Sequence, residues 1–297
     1  MVPEPPSGIT RRTFLAATGG LVVAASIGTN VFEGDVAGAT EAARNTALSP
    51  LVLSSDLYAS PLPQRFAFAI AKGPRYSSGP PARVAFVPPG VKGKTQVDVL
   101  PTRLYKQGLP KGRGIYVTET VFDKPGVWSA VVFTRGKKVP FAIQVENTAV
   151  AKTVGSPAPR APSPTKANTL GVHPICTRVP ACPLHKVSLS DVIGRGQPVA
   201  AMFATPALCQ SQYCGPVLDE LLAVRAHYES AGMVFVHIEI YPSKTAVNYA
   251  PTPVAWGIQT EPWLFTVNKA GTIVGRLDGA MGREEIVAHL DALAAAA

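Results

Sequence analysis

The chain contains four cysteines, which fall into two close pairs. Cys209 and Cys214 lie in the segment FATPALCQSQYCGPV (203–217), where a short apolar run ends and apolar residues at helical spacing begin. A cysteine at the N-terminus of a helix gains from the helix dipole and from free backbone N–H groups, and both favour the thiolate over the thiol. Cys214, followed by Gly215 and Pro216, is predicted to occupy that position. This pair is therefore a candidate redox centre.

The spacing of this pair limits where its first cysteine can lie. Residues five apart in a continuous helix are too far separated for a disulfide, which needs a Cα–Cα distance of about 4.4–6.8 Å. We therefore expect Cys209 to lie in the loop before the helix. From that position Cys209 and Cys214 can close a C-x4-C bridge, which is either a redox pair or an inert structural link.

The second pair, Cys176 and Cys182, lies in the proline-containing segment PICTRVPACP (174–183). Five intervening residues suit a small closed loop, so we predict a structural disulfide here. His173 and His185 flank the pair and raise the alternative of a metal site. The spacing of these residues matches no zinc ribbon. The export signal described below implies oxidising surroundings, which favour a disulfide. We therefore predict no metal and no cofactor.

Hydrophobic periodicity places these cysteines in an α/β domain spanning residues 171–297. Apolar runs typical of buried strands alternate with helical patterns, and the last two strands are predicted to form a hairpin that turns at NKAG (268–271). The predicted strands cover 198–204, 233–240, 263–267 and 272–277. A first helix has its apolar residues between 217 and 228 and is closed by Gly232, and further helices are predicted at 253–257 and 284–296. The order is β-α-β-α-β-β-α.

This order, together with the motif YCGP at 213–216, resembles the thioredoxins, whose active site reads WCGPC. The resemblance covers roughly residues 185–297 and departs where Val217 replaces the second cysteine. The C-x4-C spacing also resembles one peroxiredoxin subgroup, although Pro206 stands where that subgroup has Thr. The segment is more similar to that of exported bacterial thioredoxin-like proteins that carry FATPxxCQSxxCGPV behind a β-sandwich.

The resemblance implies a cis-proline beside the active-site cysteine, which Pro262 in the segment EPW matches. Such a proline presents a backbone edge to an extended substrate. The implied catalytic residues are Cys209, Cys214 and Pro262. Trp256 and Trp263 either border the same groove or belong to the core.

His237 and Glu239 alternate on the second predicted strand and therefore share a face. His237 is either an aid to proton transfer near Cys214 or a satisfied buried histidine. Both readings stay open at the level of sequence.

The first half of the chain, residues 50–148, shows short β-branched and aromatic runs separated by turn residues. The turns include KPGV at 124–127, and Trp128 is predicted to be core. This pattern predicts an all-β, immunoglobulin-like sandwich. Residues 149–170 are rich in proline, without apolar periodicity, and are predicted to be a semi-rigid linker.

The N-terminus, residues 1–39, has the features of an export signal. Arg11 and Arg12 precede an uncharged apolar stretch, and the pattern resembles the twin-arginine signal. The small residues Ala37 and Ala39 suit cleavage before Thr40, although an uncleaved membrane anchor is the alternative. We therefore expect an extracytoplasmic protein, in the periplasm, the cell envelope or the medium, where disulfides form and persist.

Composition excludes several classes of protein. A hydrophobic content of 46% with 16% charged residues argues against a disordered chain or a coiled coil. The net charge of +9 includes a basic stretch from Arg65 to Arg113, which could hold the first domain at an anionic cell-envelope surface. With no basic helix and no aromatic platform, nucleic acid is not an expected partner.

Together, the residues and the resemblance predict an exported thiol–disulfide oxidoreductase acting on thiols and disulfides of other exported proteins. The preferred mechanism has Cys214 attack and Cys209 resolve the mixed disulfide, with the reverse assignment left open. The alternatives are a redox-inactive binding or scaffold protein that keeps the same fold, and a thiol peroxidase.

Overall fold

The computed structural model describes residues 47–73, 75–76, 79–91, 97–209 and 211–296. The predicted export signal at 1–39 lies outside these residues. Within the described ranges, the helices are too short or too polar to cross a membrane.

The first domain consists of antiparallel strands arranged in two sheets. One sheet has the order β1-β2-β7-β6 with β3 paired to β2, and the other has the order β5-β4-β8-β9. The strands are β1 (Leu48–Val52), β2 (Gln64–Lys72), β3 (Arg75–Tyr76), β4 (Ala82–Val87), β5 (Leu100–Pro101), β6 (Arg103–Tyr105), β7 (Ile115–Thr120), β8 (Gly126–Thr134) and β9 (Lys137–Val145).

The two sheets share one hydrophobic core. Phe66 from the first sheet packs edge-on against Phe86 from the second, with ring centroids 4.9 Å apart. Trp128 is buried as predicted, and its Nε1 donates to the carbonyl of Lys124 across the turn that precedes β8. The two-sheet arrangement follows the alternation seen in the sequence, and the assignment to an immunoglobulin-like type stays a prediction.

The second domain contains a mixed four-stranded sheet with the order β11-β10-β12-β13. Strands β10 and β11 are parallel, whereas β12 runs antiparallel to both β10 and β13. The elements in chain order are α1 (Leu189–Val192), β10 (Val199–Phe203), α2 (Cys214–Ser230), β11 (Val234–Ile238), α3 (Pro251–Trp256), β12 (Trp263–Val267), β13 (Ile273–Asp278) and α4 (Arg283–Ala295). This order and this sheet constitute a thioredoxin-like fold, as the sequence predicted.

Both faces of this sheet are covered, because alternate residues of each strand point to opposite faces. Ala200 and Met202 of β10 pack in one core with residues of α2 and α4. Ala201 and Phe203 of the same strand pack in the other core with residues of α1 and α3. The strands of this sheet are apolar at successive positions because their side chains are buried on both faces of the sheet.

The proline-rich segment predicted as a linker packs along the second domain. Its Gly155 amide donates to the carbonyl of Ile273 at 2.8 Å, and its Ala158 amide donates to that of Gly271 at 2.9 Å. Ser163 is buried, and its amide donates to the hydroxyl of Ser188. The segment thus lies on the second domain and does not span free space between the two.

The two domains meet through buried ion pairs. Arg65 of β2 pairs with Glu285 at 2.5 Å and with Asp278 at 3.5 Å. Arg276 of β13 pairs with Asp56 at 2.8 Å. Arg65 belongs to the basic stretch from Arg65 to Arg113. Its charge is therefore neutralised by carboxylates of the second domain and is not available to an outside partner.

Candidate active site

The loop that joins β10 to α2 carries the first cysteine pair. The helix begins at Cys214, and Cys209 lies five residues earlier in the loop, as the spacing predicted. Pro216 falls in the first turn of α2, where the missing N–H removes no intrahelical hydrogen bond. The position of Cys214 at the helix N-terminus is thus as expected.

The two sulfur atoms and a carboxylate oxygen of Glu261 lie within 4.8 Å of one another. Both cysteines are free thiols in this structure. The fold therefore brings the predicted redox partners together, and the Cys209–Cys214 bridge itself stays a prediction.

Burial distinguishes the two thiols. Cys214 has no exposed surface, and this burial raises the pKa of its thiol well above the usual value. Cys209 is partly exposed, and a hydrogen bond from the Cys214 thiol lowers its pKa to about 6 despite the opposing effect of burial. The backbone N–H of Cys214 and the hydroxyl of Ser211 also contact its sulfur, at 3.3 and 3.2 Å.

This arrangement bears on which of the two cysteines carries the thiolate. The helix N-terminus directs its first N–H toward the sulfur of Cys209, so the thiolate is stabilised on Cys209 and not on Cys214. Cys209 is both the accessible and the more acidic thiol. The reverse assignment, which the sequence left open, is the one that the geometry favours.

Glu261 is a residue whose role the sequence reasoning missed. The sequence placed it only as the neighbour of Pro262, whereas its carboxyl group lies beside both sulfurs. Burial, followed by the proximity of Cys209 and Glu239, raises the pKa of Glu261 to about 8. Its Oε2 is buried without a hydrogen-bond partner among the described residues. A carboxyl group that titrates near neutral pH is suited to move a proton here.

The peptide bond between Glu261 and Pro262 is cis, as the resemblance implied. Pro262 is buried immediately before β12, and its carbonyl accepts a hydrogen bond from the N–H of Gly279 at 2.8 Å.

A residue of the first domain also reaches this loop. Arg113 donates to the side-chain oxygen of Gln212 at 2.8 Å and to the carbonyl of Ser211 at 3.3 Å. Its guanidinium carbon lies over two tyrosine rings, 4.7 Å from the centroid of Tyr76 and 5.3 Å from that of Tyr213. No local sequence signal distinguishes Arg113 from the other basic residues around it.

Three other candidates lie away from the first pair. Trp256 and Trp263 belong to the core on the opposite face of the sheet, packed with Phe265. His237 faces the second cysteine pair, with its Nδ1 3.4 Å from the sulfur of Cys182. The proposed assistance by His237 to Cys214 is therefore not supported by its position.

The second pair, Cys176 and Cys182, is buried and is also present as free thiols. The Cys176–Cys182 bridge, like the Cys209–Cys214 bridge, therefore stays a prediction. His185, which the sequence noted, lies against this pair, whereas His173 is exposed and contacts Thr169. Hydrogen bonds from Cys182 and then from the two histidines hold the pKa of Cys176 well below its usual value, outweighing the effect of burial.

Comparisons with known proteins return similarity only at the level of solved structures. No protein-family description and no curated protein matches the chain. A putative thiol:disulfide interchange protein DsbE from Chlorobium tepidum is 19% identical over 49% of this chain and 99% of its own, with a TM-score of 0.35.

Two further solved structures are similar to the chain. A thioredoxin-family thiol:disulfide interchange protein from Chlorobium tepidum TLS is 18% identical over 48% of this chain and 99% of its own, with a TM-score of 0.33. The exposed lipoprotein thioredoxin Etrx1 from Streptococcus pneumoniae is 16% identical over 36% of this chain and 91% of its own, with a TM-score of 0.24. The thioredoxin-like assignment of the second domain rests on its strand order and connectivity.

Proposed function

We propose that the protein is an exported thiol–disulfide oxidoreductase that exchanges disulfides with other exported proteins through Cys209 and Cys214. The observation that carries this proposal is the asymmetry of the pair. A partly exposed thiol with a pKa of about 6 stands next to a fully buried thiol at the start of α2. A purely structural bridge needs no such difference in acidity or access.

In the first step the Cys209 thiolate attacks one sulfur of a substrate disulfide. A mixed disulfide forms between Cys209 and the substrate, and the other substrate sulfur leaves as a thiolate that takes up a proton. Cys209 is suited to this step because its thiolate predominates at neutral pH and its sulfur is partly accessible.

In the second step Cys214 loses its proton to the Glu261 carboxylate and attacks the sulfur of Cys209. The mixed disulfide breaks, the second substrate sulfur leaves as a thiolate that takes up a proton, and the Cys209–Cys214 bridge forms. The substrate gains two electrons and the protein loses two. The same steps in reverse transfer a disulfide to a dithiol substrate.

Export and the role of the first domain belong to the same proposal. The twin-arginine pattern of residues 1–39 supports export, and the alternation in residues 50–148 supports an immunoglobulin-like type. Exposed basic side chains on this domain, including Arg75, Arg83 and Arg103, support attachment to an anionic envelope surface. The substrates would then be thiols and disulfides of neighbouring exported proteins.

Trapping the mixed disulfide tests the order of attack. We expect the Cys214→Ser variant to accumulate a covalent adduct with a disulfide-containing test protein, because Cys209 attacks and nothing resolves the product. The Cys209→Ser variant should form no adduct and should lose exchange. The adduct is measured by intact mass and by non-reducing electrophoresis, with the double variant as the control.

The opposite pattern, in which only Cys209→Ser traps substrate, would overturn the assignment of Cys209 as attacker. Exchange that is equally slow in the parent and in every variant would instead favour the redox-inactive binding protein.

A further inference from the structure

A second cluster of side chains lies outside the proposed redox site and has no role in it. Cys176, Cys182 and His185 come from the loop that precedes α1, and His237 comes from β11. Their exposed fractions are 8%, 2%, 1% and 0%. One sulfur or nitrogen atom from each lies within 4.8 Å of all the others.

Four of the six distances between these atoms are close to the edges of a tetrahedron around a zinc ion, and the other two are within 4.8 Å. Zinc–sulfur bonds of about 2.3 Å and zinc–nitrogen bonds of about 2.0–2.1 Å require N–N, N–S and S–S separations of about 3.3, 3.6 and 3.8 Å. The two histidine nitrogens are 3.2 Å apart, and the sulfur of Cys182 is 3.3 Å from His185 and 3.4 Å from His237. The sulfur of Cys176 is 3.9 Å from His237. Each of these edges agrees with the ideal value to within about 0.4 Å.

Hydrogen bonds with backbone groups orient two members of the cluster. The Nε2 of His237 donates to the carbonyl of Ala204 at 2.9 Å, which leaves the lone pair of Nδ1 directed at the sulfurs. The backbone N–H of Cys182 donates to the sulfur of Cys176 at 3.3 Å, which favours a thiolate there. Hydrogen bonds of this kind, which fix the orientation of a ligand, are typical of metal sites.

The net charge of the site with its ligands favours Zn²⁺ over Cu⁺. A buried site tolerates charge only when it is compensated. Two thiolates and two neutral imidazoles around Zn²⁺ carry no net charge, whereas the same ligands around Cu⁺ carry one negative charge. Four protein ligands also close the coordination shell, as in structural zinc sites.

We propose that Cys176, Cys182, His185 and His237 form a structural Zn²⁺ site. This site replaces the disulfide predicted for the first two residues, because the same sulfur atoms cannot do both. It fastens the loop before α1 to β11 of the sheet, and it is separate from the Cys209–Cys214 pair. The histidine on β11 is the ligand that sequence spacing did not reveal, because it lies 55 residues from Cys182.

Metal content of the full chain, purified with zinc and without reductant, is the first test. We expect one zinc per chain in the parent and in the Cys209→Ser/Cys214→Ser double variant. The Cys176→Ser/Cys182→Ser double variant should lose it. His173→Gln is the matched control for His185→Gln, since His173 is exposed and lies outside the cluster.

Cobalt substitution keeps the proposal testable if the serine variants fail to fold. With Co²⁺ in place of zinc, the Cys209→Ser/Cys214→Ser variant should show thiolate-to-cobalt charge transfer and the visible bands of a tetrahedral ion. Absence of these bands in that folded variant would overturn the site. A Cys176–Cys182 disulfide in peptide maps of the zinc-treated protein, or binding of Cu⁺ without Zn²⁺, would also overturn it.

Discussion

The chemistry of Cys209 depends on atoms supplied by its neighbours in the loop and helix. Its sulfur accepts hydrogen bonds from the Cys214 N–H and the Ser211 hydroxyl, and the Cys214 thiol adds the largest contribution to its lowered pKa. The same contact raises the pKa of Cys214, which is already raised by burial. The proton between the two sulfurs therefore stays on Cys214, and Cys214 must lose it before it can attack the mixed disulfide.

Glu261 is the group placed to accept that proton. Its pKa of about 8 means that its carboxylate form increases as the pH rises through 8. We expect resolution of the mixed disulfide to accelerate between pH 7 and pH 9 in the parent. In Glu261→Gln this acceleration should disappear and the rate should fall on the order of 10²-fold. Stopped-flow measurement of thiol release after mixed-disulfide formation provides the rate.

The control for this prediction is Glu229→Gln, which removes an exposed carboxylate that pairs with Arg225 on the surface of α2. Its pH profile should match that of the parent. Alkylation of Cys209 should still proceed through the thiolate in Glu261→Gln. A pH-dependent acceleration that survives in Glu261→Gln would show that another group accepts the proton.

At the scale of elements, α2 and the loop before it act as one unit held by Arg113. The N-terminus of the helix supplies the N–H group, and the loop must keep Cys209 in front of it. Arg113 fixes the loop by its bonds to Ser211 and Gln212 and by its position over the ring of Tyr213. Gln212 has a φ of 64°, a left-handed conformation that is uncommon for residues other than glycine.

We expect Arg113→Ala to raise the pKa of Cys209 toward that of an ordinary thiol. The loop then loses its anchor, and the hydrogen bonds to the sulfur weaken. The pH midpoint of Cys209 alkylation should move up from about 6 by roughly one unit, which corresponds to about 1.4 kcal/mol. Iodoacetamide labelling followed by peptide mass analysis gives the midpoint.

Lys111→Ala is the matched control, because Lys111 is an exposed cation two residues away. Its midpoint should equal that of the parent. If Arg113→Ala leaves the midpoint unchanged while Cys209 stays reactive, the arginine does not position the loop.

At the scale of the whole molecule, periodicity along the chain predicted the helices and strands but not the contacts between distant segments. Strand β12 spans Trp263–Val267 as predicted, and α2 begins close to the predicted helix. Short strands such as β3 and β6 have too few residues to show a period. The spacing also placed Cys209 correctly in the loop.

Contacts between distant segments account for what the sequence did not predict. Arg113 meets Gln212 across 99 residues, and Arg65 meets Glu285 across 220. Both contacts depend on how the two domains dock, and neither arginine carries a sign of its partner in the neighbouring sequence. Removing Arg65 would leave Glu285 and Asp278 as buried carboxylates without their cation. The second domain therefore depends on the first domain to neutralise these two charges.

The central claim, that Cys209 and Cys214 are a redox pair, is tested most directly by a glutathione redox titration of the purified protein, read by mass. We predict one reversible two-electron transition, mapped to a Cys209–Cys214 disulfide, with a midpoint potential above about −300 mV. Reduction should restore both thiols without loss of fold. A disulfide that resists the glutathione couple throughout, or a pair that never oxidises, would contradict the claim.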